Sequence, residues 1–147
     1  VNYTMYNIRC AQDVINVNSD HRDIMLLSSS SEPSHPFCYA RVLGIFHVNV
    51  MYTGPGLKDY LPRHLEFLWV RWLKPVKQNA PCAHNLEALQ FMKLSDEDAF
   101  GFVDPADILC SCHLIPAFAG GKVHADSTSV SRNARDGMDW KRYYVNQ

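Results

Sequence analysis

Cysteine and histidine gather in two short stretches, Cys82-Ala-His84 and Cys110-Ser-Cys112-His113. Zinc needs four soft or borderline ligands converging on a tetrahedron, and Cys82, His84, Cys110 and Cys112 are the set that could be drawn. In a strand, Cys110 and Cys112 face the same side. The spacings depart from those of a finger, which leaves two or more residues between paired ligands. The simpler reading is small thiols filling core space, so neither a metal nor any other cofactor is expected. The five cysteines are odd in number and do not space out as a disulfide framework, which favours reduced thiols in an intracellular protein.

Aromatic side chains form a second group. Tyr52, Trp69 and Trp72 are the candidates for a pocket that holds a methylated ammonium by cation–π attraction. Core packing is the competing explanation for all three. A third group is basic: Lys58, Arg63, Arg71, Lys74 and Lys77 oppose only Asp59 and Glu66. This 58–77 rim would suit phosphates or an acidic partner. Residues 95–107 are the acidic counterpart, with Asp96, Glu97, Asp98, Asp104 and Asp107. Catalytic sets are poor. No serine sits in a nucleophile-elbow pattern, no phosphate loop is present, and Cys110 and His113 are three apart, which in a strand separates their faces. No enzyme is expected.

The elements that must position these groups are strands. Leu65–Leu73 carries two of the three tryptophans and is apolar on both alternation sets, as a central strand covered on both sides is. Phe37–Tyr52 alternates, with Ala40, Val42, Gly44, Phe46, Val48, Val50 and Tyr52 forming the expected core face. Gly44 in the middle suggests a bulge or a bend. Thr53-Gly54-Pro55-Gly56 is a turn, so the two strands are read as antiparallel neighbours.

Shorter strands are expected within residues 3–15, at Ile24–Leu27, at Phe100–Val103 and across Leu109–Ile115. One or two helical turns are expected at Asn85–Met92, where Leu86, Leu89 and Met92 recur every third residue. Another is expected at 105–109, with Asp104 as N-cap and Pro105 at the first position. The fold class is therefore mainly β: a small curled antiparallel sheet or an SH3-like barrel, with one or two short helices and long loops. Residues 1–36 bring N-terminal strands and a Ser/Pro loop, 37–118 form the core, and 119–147 form a polar loop and a docking segment, all in one domain.

The chain of 147 residues is 47 % apolar with a net charge of −1, which excludes general disorder and a broad electrostatic attraction to nucleic acid. No stretch nears the roughly 18 apolar residues of a membrane span. A start at Val1 and an abrupt end suggest a piece of a longer protein. Nothing sets an oligomeric state.

Two blocks carry a resemblance. Cys38-Tyr-Ala-Arg-Val-Leu-Gly-Ile-Phe46 followed by Phe67-Leu-Trp-Val-Arg-Trp-Leu-Lys-Pro75 resembles the core hairpin of bromo-adjacent homology (BAH) domains. Those carry an Ala-Arg-Ile/Val-aromatic strand and then Val-x-Trp-Phe/Tyr-x-Arg-Pro. Here Lys74-Pro75 stands where Arg-Pro is usual, and Leu73 replaces the aromatic. Asp104–Pro116 is similar to the strand that closes that barrel. The likeness covers residues 37–116 and implies a nuclear interaction module that binds a protein partner or peptide tail. Leu65–Trp72, Ala99–Pro105 and Ala134–Asn146 also resemble a segment of fungal proteins encoded near transposon-derived genes, which brings no activity with it. The resulting expectation is a non-enzymatic module of a larger chromatin- or transposon-associated protein. A nucleic-acid-binding accessory domain using the 58–77 rim is the alternative. A fragment of a catalytic domain, its remaining site residues lying elsewhere, is the second alternative.

Overall fold

A computed structural model describes residues 14–28, 35–76 and 86–146. Among the described residues, eight strands form one antiparallel sheet: β1 (Asp23–Leu27), β2 (Phe37–Val50), β3 (Arg63–Pro75), β4 (Ala88–Phe91), β5 (Phe100–Val103), β6 (Ile108–Ser111), β7 (His113–Pro116) and β8 (Tyr143–Asn146). The only helical pieces among the described residues are three-residue 3-10 turns. The ladder runs β6-β1-β2-β3-β4-β8-β7, and β5 pairs with β3 beside that path.

The curled sheet forms; the closed SH3-like barrel does not. The ladder's two end strands, β6 and β7, are consecutive in the chain, joined by Cys112, and are not paired with each other. The expected strand across Leu109–Ile115 is thus two strands. Its first half pairs with β1 and its second with β8, while the Cys112 N–H donates to the Asp23 carbonyl at 2.9 Å.

β2 and β3 are the long antiparallel pair that the flanking Gly54 and Pro62 predict. Val42 opposes Val70, but Gly44 opposes Trp69, so Leu43 is left over as the bulge. That extra residue has a large consequence, because side chains alternate with a period of two. Before it, Ala40 and Val42 share a face with Val70 and Trp72; after it, Gly44, Phe46 and Val48 share the other face with Trp69, Phe67 and Leu65. The single core face expected for Phe37–Tyr52 is therefore wrong in its second half. Phe46, Val48, Val50 and Tyr52 are exposed.

Each side of the sheet has its own core. Tyr39, Leu73, Leu89, Leu114 and Tyr143 pack on one face, and Ile24, Val42, Leu68, Val70 and Val103 pack on the other. The helical turns expected at Asn85–Met92 are replaced by β4. Leu89 is fully buried in the first core, with Phe91 paired to Leu73 on one side and Ala88 to Tyr144 on the other. Two flanking strands supply ladder bonds and cover that a four-residue helix would forgo. Asn85 itself lies outside the described residues.

Pro105–Asp107 is a 3-10 turn, capped as expected: Asp104 Oδ1 accepts the Ala106 N–H at 2.8 Å. The docking segment is strand β8, seated between β4 and β7. Of the strands expected within residues 3–15, positions 3–13 lie outside the described residues and Val14 and Ile15 are in no strand; most of the Ser/Pro loop also lies outside the described residues. Among the described residues no helix is long and apolar enough to cross a membrane.

Candidate functional site

Beyond the bulge, β2 and the start of β3 have only each other as strand neighbours among the described residues. β5 then joins against Leu68–Arg71. The result is an arm with two unlike faces. One carries His47, Asn49, His64 and Glu66; His64 Nδ1 lies 3.0 Å from Asn49 Oδ1, and the His47 and His64 rings are 5.3 Å apart.

The other face is apolar, and it is the candidate site. The Phe46 and Phe67 rings stack at 5.6 Å, Phe102 meets Phe67 edge-on at 5.5 Å, and Trp69 stacks on Phe100 at 5.7 Å. Leu65 and Val48 extend the face along the arm. Register fixes this assembly, since Trp69 opposes Phe102 and Arg71 opposes Phe100. Phe102 is 72 % exposed and Leu65 51 %. Aromatic pairs of this kind contribute roughly 0.5–1.5 kcal/mol beyond their area, but they leave a contiguous apolar surface open to water. Surfaces of that kind mark interaction sites.

The three aromatic candidates do not form one pocket. Trp69 belongs to the arm face. Trp72 lies on the opposite face, half-buried against the second core. It lines a groove of about 670 Å³ with Leu26, Val103 and Asp104 among others. Tyr52 stands at the far tip, 62 % exposed, its hydroxyl donating to the Pro55 carbonyl at 2.9 Å. Successive strand positions point to opposite sides, and the turn carries Tyr52 away from both.

The 58–77 rim is likewise split. Lys58 and Arg63 sit at the arm's tip, around a small cavity with Tyr52. Lys74 lies eleven strand positions from Arg63, roughly 36 Å along β3. Lys77 lies outside the described residues. Arg71 corrects the expectation outright: it is 6 % exposed and bonded to Asp139, so it is no part of a solvated rim.

Of the four metal candidates, Cys82 and His84 lie outside the described residues. Cys110 and Cys112 both pack towards the first core, as strand alternation predicts.

Under the arm, charge is buried in a row. Asp23 on β1 opposes Arg41 on β2, which opposes Arg71 on β3. Arg41 donates twice to Asp23, Nε at 2.7 Å and Nη2 at 3.1 Å. Asp139 joins from the C-terminal segment, bonded to Arg71 Nη1 and 3.5 Å from Arg41 Nη1. Both guanidiniums lie over the Phe91 ring, at 4.8 Å and 4.3 Å. Burial works against the Arg41 charge, but hydrogen bonding and the charge of Asp23 outweigh it and raise its pKa above the ordinary arginine value. Burial also pushes the Asp139 carboxyl up, against the pull of Arg71 and Arg41. This row is structural: it fixes β1, β2, β3 and the 139 segment in one register beside the arm.

Sequence reasoning misses Asp23 and Asp139. The visible signal is an arginine within each of the two apolar strands, since a buried charge requires a partner. Asp139 is 68 residues from Arg71, however, and no local pattern points to it.

No family model matches the chain, and neither a curated protein nor a solved structure matches it.

Proposed function

We propose that this chain is a non-enzymatic protein-interaction module of a larger chromatin- or transposon-associated protein, and that the apolar face of the arm is its contact surface. The observation that carries the reading is the contiguous face of Phe46, Leu65, Phe67, Trp69 and Phe102, in which Phe46, Leu65 and Phe102 are exposed and Phe67 and Trp69 half-buried. Burying such a surface favours association by about 25 cal/mol per Å² of apolar area, before the costs of ordering.

The neighbouring strand supports a protein partner in extended form. β5 pairs with β3 alone, so its outer edge has no ladder partner among the described residues. An added strand would take backbone hydrogen bonds from that edge and lay alternate side chains on the aromatic face. The chromatin setting and a nuclear location rest on the resemblance of residues 37–116 to BAH domains.

A histone-peptide array with the wild-type chain, Phe102→Ser and His64→Ala tests this. Peptides retained by the wild type are expected to be lost with Phe102→Ser, about tenfold or more in affinity, and kept with His64→Ala on the opposite face. No retained peptide, or retention indifferent to Phe102→Ser, removes the proposal. Sedimentation over a range of concentrations separates a second copy of the chain from a foreign partner.

The nucleic-acid alternative has less support, because its basic residues are divided between the two ends of β3. Retention on DNA at low salt with a steep salt dependence would restore it.

A further inference from the structure

On the far side of the Arg71–Asp139 pair, the ends of β3 and β4 and the segment 123–141 line an open cavity of about 570 Å³. That is within the size range of small-molecule sites. Its wall is largely apolar, with Phe91, Leu94, Val130 and Trp140 among the lining side chains. Three lysines, Lys74, Lys93 and Lys141, also line it. None of them is in an ion pair among the described residues.

Neither carboxylate in the wall is in an ion pair with these lysines, and Asp136 lies 3.0 Å from His124 Nε2. Asp136 accepts from the Ser129 hydroxyl and the Ser131 and Val130 N–H groups, and Asp139 is held by Arg71 and Arg41. The charge left over is positive. Arg71 is also a lining residue, and its buried Nε–H has no hydrogen-bond acceptor among the described residues. Buried donors are nearly always satisfied, so this one calls for an explanation.

We propose that this cavity binds a small organic anion: a flat apolar body of one or two fused rings bearing a sulfonate, carboxylate or phosphate. The apolar wall receives the body and Trp140 offers it an aromatic surface. Lys93 and Lys141 are exposed and Lys74 is half-buried, and together they select the charge. This site is separate from the arm face and stands without it.

The whole chain is titrated with 8-anilinonaphthalene-1-sulfonate and, in parallel, with the uncharged N-phenyl-1-naphthylamine, each followed by its fluorescence. One saturable site for the anionic dye is expected. Lys93→Ala with Lys141→Ala is expected to weaken the anionic dye about tenfold and to leave the neutral dye within about twofold. Phe102→Ser is expected to change neither, which separates this cavity from the arm. Both lysines are exposed, so the double variant keeps the fold, and its melting curve checks that. Absence of a saturable site, equal weakening of both dyes, or loss of the anionic dye with Phe102→Ser overturns the proposal.

Discussion

Arg41 and Arg71 stand opposite each other across the β2–β3 ladder, and the carboxylate of Asp139 is within reach of both. Two like charges facing each other in a buried row are tolerated because Asp23 and Asp139 supply opposite charge. Replacing Asp139 by Asn keeps the shape and removes that charge. The expected cost is about 3–5 kcal/mol, read as a fall in the urea midpoint at pH 7. A loss under about 1 kcal/mol would show that the pair behaves as a surface bridge.

Asp136 ties the stability of the fold to acid pH. This carboxylate is 2 % exposed, and burial alone would raise its pKa. The Ser129 hydroxyl at 2.6 Å and the Ser131 and Val130 N–H groups at 2.9 Å and 3.1 Å instead hold it well below the usual carboxylate range. A depressed folded pKa contributes stability that is present above the unfolded value of about 3.9 and is lost as pH falls from there towards the folded value. Urea unfolding at a series of pH values should show that loss in the wild type. Asp136→Asn should lower stability at neutral pH and flatten the dependence below about pH 4.

Gly101 gives Trp72 its place. A β-carbon built at Gly101 would lie 2.6 Å from the indole Nε1, closer than real contacts allow. Gly101→Ala therefore forces the indole to move or β5 to part from β3. The expected loss is about 1–3 kcal/mol, with a changed near-ultraviolet circular dichroism signal from the tryptophan. An unchanged spectrum would mean that the indole has room to spare.

Burial separates Phe102 from Leu89. The first is 72 % exposed and the second fully buried. Phe102→Ser should cost less than about 1 kcal/mol, whereas Leu89→Ala should cost about 2–5 kcal/mol by leaving a cavity in the first core. Comparable losses in chemical denaturation would mean that the arm face is packed against something in the isolated chain.

Much of the sheet is legible from the chain alone. Phe37–Tyr52 and Leu65–Leu73 read as strands because their β-branched and aromatic residues suit a pleated, covered surface, and a Gly-Pro-Gly corner separates them; the observed strands are Phe37–Val50 and Arg63–Pro75. Gly44 marks the bulge, and Asp104-Pro105 marks a capped turn. β4 is not legible, because Leu86, Leu89 and Met92 also satisfy a helical spacing. Only the flanking strands β3 and β8 decide between the two.

The sequence by itself determined that the two long segments on either side of the Gly-Pro-Gly corner are extended and which residues carry charge, since both follow from local sterics and side-chain chemistry. Tertiary structure alone decided which face each side chain occupies past Leu43, because one unpaired residue reverses the alternation of everything after it. It also decided that Arg71 is buried against a carboxylate 68 positions away, and that Lys74 joins Lys93 and Lys141 rather than Arg63. Those outcomes depend on how a curling sheet brings distant strands together, which composition and periodicity do not encode.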